Sequence, residues 1–363
     1  MNYYIEEIRL EKDKESVKKH AGGKAREDVH SILIKEKYTP IEIKISDDNR
    51  EKAGKLDKIK MHWDVYTKWK RSLKGLKKGD SIVFQYPILD HSLFMGRLGR
   101  KLRKKGVKVI LLVHDLSLFR TYKDIKKSIK IRQYIEEEIM LKQAYKIIVH
   151  NEKMKQALNE KGFDVNKMIS LELFDYIIPN FKEIPQREYK NKKTIIVAGN
   201  LMKSKTGYIY KLPEDVKFNL YGVGYEGSLQ KDNITYMGSF LPEKLPFEMV
   251  GDFGLVWDGP DSDACTGTYG EYLKVNNPHK TSLYLASGLP VIIWKDAALA
   301  EYVTKNGVGL VVNSLNDISD IIKELSEKDY MEMINNVKTI QKKLLEGYYL
   351  KNALLKCGEK GIV

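Results

Sequence analysis

The stretch YLKVNNPHKTSLYLASGLPVIIW, residues 272–294, joins a polar, lysine-bearing loop to a helical segment and then to a wholly apolar strand. That order is the repeating unit of a parallel α/β sheet, where strands lie buried between helices. Pro278 suits a first helical turn, and the amides after it are free to donate to an anion, with Lys280 adding positive charge beside them. Ala286, Ser287 and Gly288 are small enough to end the helix close against its neighbours, and residues 290–294 read as a buried strand. An ordinary capped helix followed by a strand would read the same way, so the rest of the chain must decide whether a ligand belongs here.

The same alternation extends to both sides. Strands are predicted near 2–9, 41–45, 81–85 and 107–113, in YKIIVHN, and at 168–173, with helices over 24–37, 61–76, 92–105 and 124–143. Asn151 is placed to cap a further helix that Gly162 ends. Residues 179–193 combine two prolines with a charged, weakly apolar composition and form the best linker. After it the alternation restarts, with strands near 194–198, 217–221, 234–237, 253–257, 290–294 and 309–312. The expected architecture is two doubly wound domains, 1–180 and 181–346, with a cleft between them and a tail, 347–363, that could cross back onto the first. A length of 363 residues fits two domains better than one core.

Composition narrows the function. Hydrophobic residues at 42% against 31% charged describe a globular chain. No run approaches the roughly 18 consecutive apolar residues of a membrane span, and the start MNYYIEEIRL lacks the pattern of a secretory leader, so the protein is expected in the cytoplasm. Cys265 and Cys357 stand alone, which suggests neither a disulfide framework nor a zinc site. The net charge of +14 comes from lysines interleaved with acids along nearly every helix, without the clustered basic and aromatic pattern of a nucleic-acid module. One cluster is denser: Arg97, Arg100, Lys101, Arg103, Lys104 and Lys105 share a predicted helix that could rest on acidic lipid at the inner face of the cell membrane.

Ligands of open α/β sheets sit outside the carboxyl ends of the strands, so the residues following each strand carry the chemistry. After the first strand, Gly22 and Gly23 permit close backbone approach and Lys24 opens a helix, though a plain turn would look similar. The strand GVKVILLV ends in His114 and Asp115, with Arg120 following. There Asp115 could act as a general base, with His114 as rival base or orienting donor, unless Asp115 merely caps a turn. Asn200 ends another strand and precedes Lys203 and Lys205, which could neutralise a diphosphate. YGVGYEG formally satisfies GxGxxG, but too few residues follow before the next strand for the required helix, so Tyr221 or a backbone amide is read as meeting a base or ribose. Asp261 and Asp263 form a DxD pair that could hold Mg²⁺ or Mn²⁺, in a loop composition that also needs no metal.

AGGKAR after the first strand, VHDLSLFR after a central one, and YLKVNNPHKTSLYLASGLPVIIWKDAALAEYV together resemble bacterial β-1,6-galactofuranosyltransferases of polysaccharide assembly and their relatives that glucosylate serine-rich adhesins. The likeness spans nearly the whole chain, and NNPHK with ASGLPVIIW is its most specific part. It implies a GT-B glycosyltransferase: two Rossmann-like domains facing across a cleft, a UDP-sugar donor held by the C-terminal one, and a glycan acceptor, lipid-linked or on protein, held by the N-terminal one. It also implies no metal or other cofactor, and assembly as a homo-oligomer. By motif position Asn200, Lys203, Tyr221 and Lys280 are implied as donor contacts, with Asn276, Asn277, Pro278 and His279 as the loop beside them. Asp115 is implied as the base, and Gly22 and Gly23, with Lys24, as the loop below the sugar. The pattern departs from the large retaining branch: where that branch carries the second Glu of a Glu-x7-Glu pair, this chain has Leu283. That departure is consistent with the galactofuranosyl and adhesin-glucosyl branch and with inversion, and galactofuranose is the leading donor sugar, with glucose or galactopyranose behind it. A non-catalytic nucleotide-binding subunit and a metal-dependent transferase using Asp261 and Asp263 are the alternatives.

Overall fold

Two runs of the sequence, SIVFQY and KVILLV, have all but one residue buried, which only a strand covered on both faces requires. In the computed structural model they are the central strands of a six-stranded parallel sheet. The structure describes residues 1–8, 23–45, 53–120, 131, 134–183, 194–227 and 231–358. The strands are β1 (Asn2–Ile8), β2 (Thr39–Lys44), β3 (Ser81–Tyr86), β4 (Lys108–Val113), β5 (Lys146–Val149) and β6 (Met168–Ser170), ordered β2-β1-β3-β4-β5-β6.

The second sheet holds β7 (Thr194–Asn200), β8 (Lys217–Val223), β9 (Ile234–Gly238), β10 (Phe253–Val256), β11 (Val291–Trp294) and β12 (Gly309–Val312), all parallel, in the order β12-β11-β10-β7-β8-β9. This is the Rossmann order, and its direction of winding reverses between β7 and β10. At such a switch point the flanking connections leave toward opposite faces, and a crevice opens outside the strand ends. The two strands pair only through Phe253 with Ile195 and Gly254 with Ile196 before they part.

The predicted α/β architecture of two doubly wound sheets is what the chain adopts, with shifts at element ends. The helix expected over 61–76 runs over Lys55–Ser72, because its first two turns, beginning after Gly54, carry apolar side chains that stay outside the core. That expected over 92–105 is Met95–Lys104, since the Ser92 hydroxyl bonds to His62 O and accepts from Phe94 N, making a turn before the helix. Of 124–143 the described part is Ile131, in a helix, then a π-turn, Tyr134–Glu138, followed by the helix Ile139–Gln143. The strand placed at 168–173 stops at Ser170. Asn151 caps its helix by accepting from Met154 N, and Gly162 follows with a φ of +83°. Of the linker, Phe181–Glu183 forms a 3₁₀ turn, and 184–193 lie outside the described residues.

The chain groups into two units: Met1–Ser16, Val29–Leu171 and Leu350–Val363 in the first, Val17–Asp28 and Glu172–Tyr349 in the second. Within the second, the helix His279–Ala286 is fixed to the sheet by Tyr284. Its ring lies against Gly254, where an added Cβ would sit 2.0 Å from the ring, and its hydroxyl accepts from Ala198 N at 2.7 Å. That bond satisfies a β7 amide beyond the point where β10 has diverged. Gly254→Ala is therefore expected to destabilise the protein by about 2–3 kcal/mol, or more if Tyr284 is expelled. Urea unfolding monitored by circular dichroism checks it.

Candidate functional site

Because Tyr284 holds its helix under β7 and β10, Lys280, one turn earlier on the same face, arrives at the carboxyl end of β10. Its ammonium donates to Trp257 O and Asp258 Oδ1, each at 2.9 Å, with only 11% of the side chain exposed. Burial lowers its pKa, Asp258 opposes that shift, and nearby Lys205 adds to it. Two of its three N–H donors are thus committed. Pro278 caps the helix from an extended conformation (ψ 128°) instead of lying in the first turn, so the free amides begin at His279. A cation, a helix N-terminus and a sheet switch point coincide here, which is the arrangement that stabilises phosphate oxygens.

Beside it, after β7, the Asn200 side chain accepts from Met202 N at 3.0 Å and so shapes a turn. Lys203 lies 5.5 Å over the Tyr210 ring, and Lys205, whose carbonyl accepts from Gly259 N, lies 5.7 Å over Tyr269. Tyr221 is wholly buried; its hydroxyl donates to Glu248 O and accepts from Val250 N. Its position thus fastens β8 to the segment before β10, and the aromatic surface at this strand end comes from other residues. Tyr210 stacks on Tyr225 (6.1 Å, 19°), Tyr225 packs against Tyr236 at 5.3 Å, and the Tyr236 hydroxyl donates to Gly222 O. Residues 224–227 and 231–233 contain no helix, so the described residues here lack the helix that a dinucleotide motif requires.

A second polar group in this unit gathers residues far apart in sequence. Lys24 donates to Asp28 and, at 2.7 Å, to Ile177 O, and lies 4.7 Å over the Tyr176 ring. Burial outweighs the lysine and raises the Asp28 pKa to about 6. The Tyr176 ring is 5.0 Å from that of His279, whose pKa falls to about 3, first through burial and then through Lys24. His279 Nε2, Asp28 Oδ2 and Asn276 Oδ1 are buried without a partner, while Asn277 donates to Glu172 O at 2.9 Å. Gly23 O accepts from Arg26 N and Glu27 N, opening the Lys24–Lys35 helix; Gly22 lies outside the described residues.

In the first unit, β4 delivers His114 and Asp115. His114 Nε2 meets Gln85 Oε1 at 2.8 Å, and Asp115 pairs through Oδ2 with Arg120 while Oδ1 is buried without a partner. Glu137 accepts from Ser117 N at 2.8 Å and Leu118 N at 3.0 Å, so it fixes the turn that follows Asp115. Burial raises the Glu137 pKa, and the Asp115 charge adds to the effect. Sequence reasoning did not single out Glu137, because IEEE on a helix reads as solvated charge. Behind this strand end His150 is 1% exposed, and burial pushes its pKa down to about 3 against the backbone of Val113 and His114. Below about pH 6.5 the unfolded chain binds a proton there that the folded chain refuses until about pH 3. Stability is lost as pH falls through that window, and His150→Gln is expected to flatten the slope by about one proton, roughly 1.4 kcal/mol per pH unit, in denaturation measured across pH.

Asp261 and Asp263 serve different neighbours. The first binds Lys211 and accepts from Thr266 Oγ1 at 2.9 Å; the second accepts from Asn316 Nδ2 at 2.8 Å and Ser314 Oγ at 3.4 Å. Among the described residues there is no group of three His, Cys, Asp or Glu side chains suited to holding a metal ion.

Comparison with known proteins gives matches along both halves. The Glucosyltransferase 3-like N-terminal domain matches residues 2–173 and the corresponding C-terminal domain residues 195–357. β-1,6-Galactofuranosyltransferase WbbI of Escherichia coli strain K12 is 33% identical over 286 residues, which are 78% of this chain and 80% of that protein. Among solved structures, the apo form of the lipopolysaccharide outer core galactosyltransferase WaaB aligns with a TM-score of 0.58 at 13% identity, over 97% of this chain and 98% of that one. Anabaena Alr3699/HepE, in complex with UDP, aligns with a TM-score of 0.55 at 10% identity, over 98% and 99%.

Proposed function

On the premise that the chain belongs to the Glucosyltransferase 3-like family of GT-B glycosyltransferases and is related to WbbI, we propose that it moves a hexose from a UDP-sugar to a hydroxyl of a glycan acceptor, with inversion. Galactofuranose is the favoured sugar because WbbI bears that activity in its name and shares a third of its aligned residues. A UDP donor is supported by the UDP bound to HepE, which shares the fold. The observation that carries the reading is Lys280, held by Asp258 and Trp257 O at the switch point beside a helix N-terminus.

In this reading the diphosphate lies against the His279 and Lys280 amides, with Lys280, Lys203 and Lys205 balancing the charge that grows as the glycosidic bond breaks. Tyr210, Tyr225 and Tyr236 offer a stacking surface for the base. Asp115 takes the proton of the attacking hydroxyl, Arg120 keeps its carboxylate in place, and Glu137 fixes the turn behind it. The transition state has oxocarbenium character, as in glycoside hydrolysis, so positioned cations and a base can supply the catalysis without a metal.

Purified protein offered a panel of UDP-hexoses with an oligosaccharide acceptor is expected to release UDP fastest from UDP-galactofuranose, and at an undiminished rate in EDTA. Release only from another nucleotide sugar removes the galactofuranose reading. Loss of turnover in EDTA, restored by Mn²⁺, transfers the leaving-group role to Asp261 and Asp263.

A further inference from the structure

The helix Lys55–Ser72 is apolar on two sides. His62, Val65, Tyr66 and Trp69 face the core. Leu56, Ile59 and Trp63, spaced three and four residues apart, form a second stripe that is 82%, 54% and 43% exposed. Burial in the fold does not explain that stripe. Large apolar side chains scattered singly on a surface are ordinary, but a continuous stripe of them marks a surface made to be covered.

The neighbouring helix, Met95–Lys104, supplies the charge around it. Its inner face buries Met95, Leu98, Gly99 and Leu102, and it carries no acidic residue, so everything it turns outward is basic. Arg97 lies 5.8 Å from the Trp63 ring, which joins the stripe to the cations, and Lys101 lies 5.5 Å from the ring of the buried Tyr66 on the same helix as the stripe. Trp63 also meets Phe94 edge-on at 5.4 Å, placing an indole at the boundary between apolar stripe and cationic rim. Against this stand only Asp57 and Asp64 on the first helix.

We propose that this face of the first unit docks on the surface of a bilayer containing anionic phospholipid, with Leu56, Ile59 and Trp63 entering the headgroup boundary and Arg97, Arg100, Lys101 and Lys104 lying over lipid phosphates. Charge complementarity selects that occupant: cations attract the acidic lipid surface, an indole favours the interface, and the aliphatic pair needs acyl chain to cover it. A polynucleotide would meet the cations but leave Leu56 and Ile59 in water. No residue of this face takes part in the proposed reaction.

The test uses the full chain and vesicles of phosphatidylcholine with and without phosphatidylglycerol. Sedimentation is expected with the acidic vesicles only, and to weaken with salt. Leu56→Ser/Ile59→Ser/Trp63→Ser should lower the partition coefficient at least tenfold. Arg100→Glu/Lys104→Glu should lower it about twenty-fivefold, roughly fivefold for each cation removed. Arg100 and Lys104 are exposed, so the thermal midpoint of the charge variant should not move, while the serine variant gives up the Trp63 contacts with Phe94 and Arg97, and circular dichroism checks that it stays folded. Trp69, Trp257 and Trp294 are buried, so brominated lipid is expected to quench Trp63 emission selectively. Equal binding to neutral vesicles, no binding to either, or wild-type binding by the serine variant overturns the proposal. So does retention of an oligonucleotide, or self-association, that follows these substitutions while vesicles stay free.

Discussion

Lys280→Ala is expected to weaken UDP binding by at least tenfold and up to about a hundredfold, read by titration calorimetry. Charge-assisted hydrogen bonds are worth roughly 1.5–3 kcal/mol each, and this lysine is the cation beside the helix N-terminus. The substitution also leaves Asp258 buried without its partner, at a cost to stability of about 3–5 kcal/mol. A second variant separates the two effects: Lys280→Met with Asp258→Asn removes the unpaired charge and should recover most of the stability while UDP binding stays weak. If the double variant binds UDP as the wild type does, the diphosphate is held elsewhere.

Asp115→Asn should have the opposite profile. A positioned base contributes about 10²–10⁴ in rate, so kcat is expected to fall by that order while the affinity for UDP is unchanged. The amide keeps the shape of the carboxylate and can still meet Arg120, which limits structural loss. Normal turnover by this variant would move the base role to His114, although its Nε2 is already engaged with Gln85. Glu137→Gln gives a useful contrast. It touches the Ser117 and Leu118 amides and not the reacting atoms, so the acceptor KM and the pH profile should shift more than the limiting rate.

Much of the candidate site was legible as position and little of it as partnership. Lys280 and Asp115 could be singled out because each follows an apolar run at a strand or helix boundary, a local pattern. Tyr221 shows the limit: it too stands at a strand end, but the register of β8 turns its ring inward, where Glu248 and Val250 take its hydroxyl. The rings left at that end, Tyr210, Tyr225 and Tyr236, come from a turn, a loop and an edge strand that no single window of sequence contains.

The sequence by itself determined the alternation of strand and helix, its restart after residue 193, and hence two parallel sheets, because side-chain periodicity and turn residues act over a few neighbours. Only the tertiary structure decided that Asp258 answers Lys280, that Lys24 joins Asp28, Ile177 and Tyr176, and that Tyr284 replaces a ladder bond where β7 and β10 part. It also decided that Leu56, Ile59 and Trp63 stay outside. The physical reason is the same in each case. Strand order brings together residues from distant parts of the chain, and burial then sets their charge and their bonds, so neither is encoded in the spacing of any one segment.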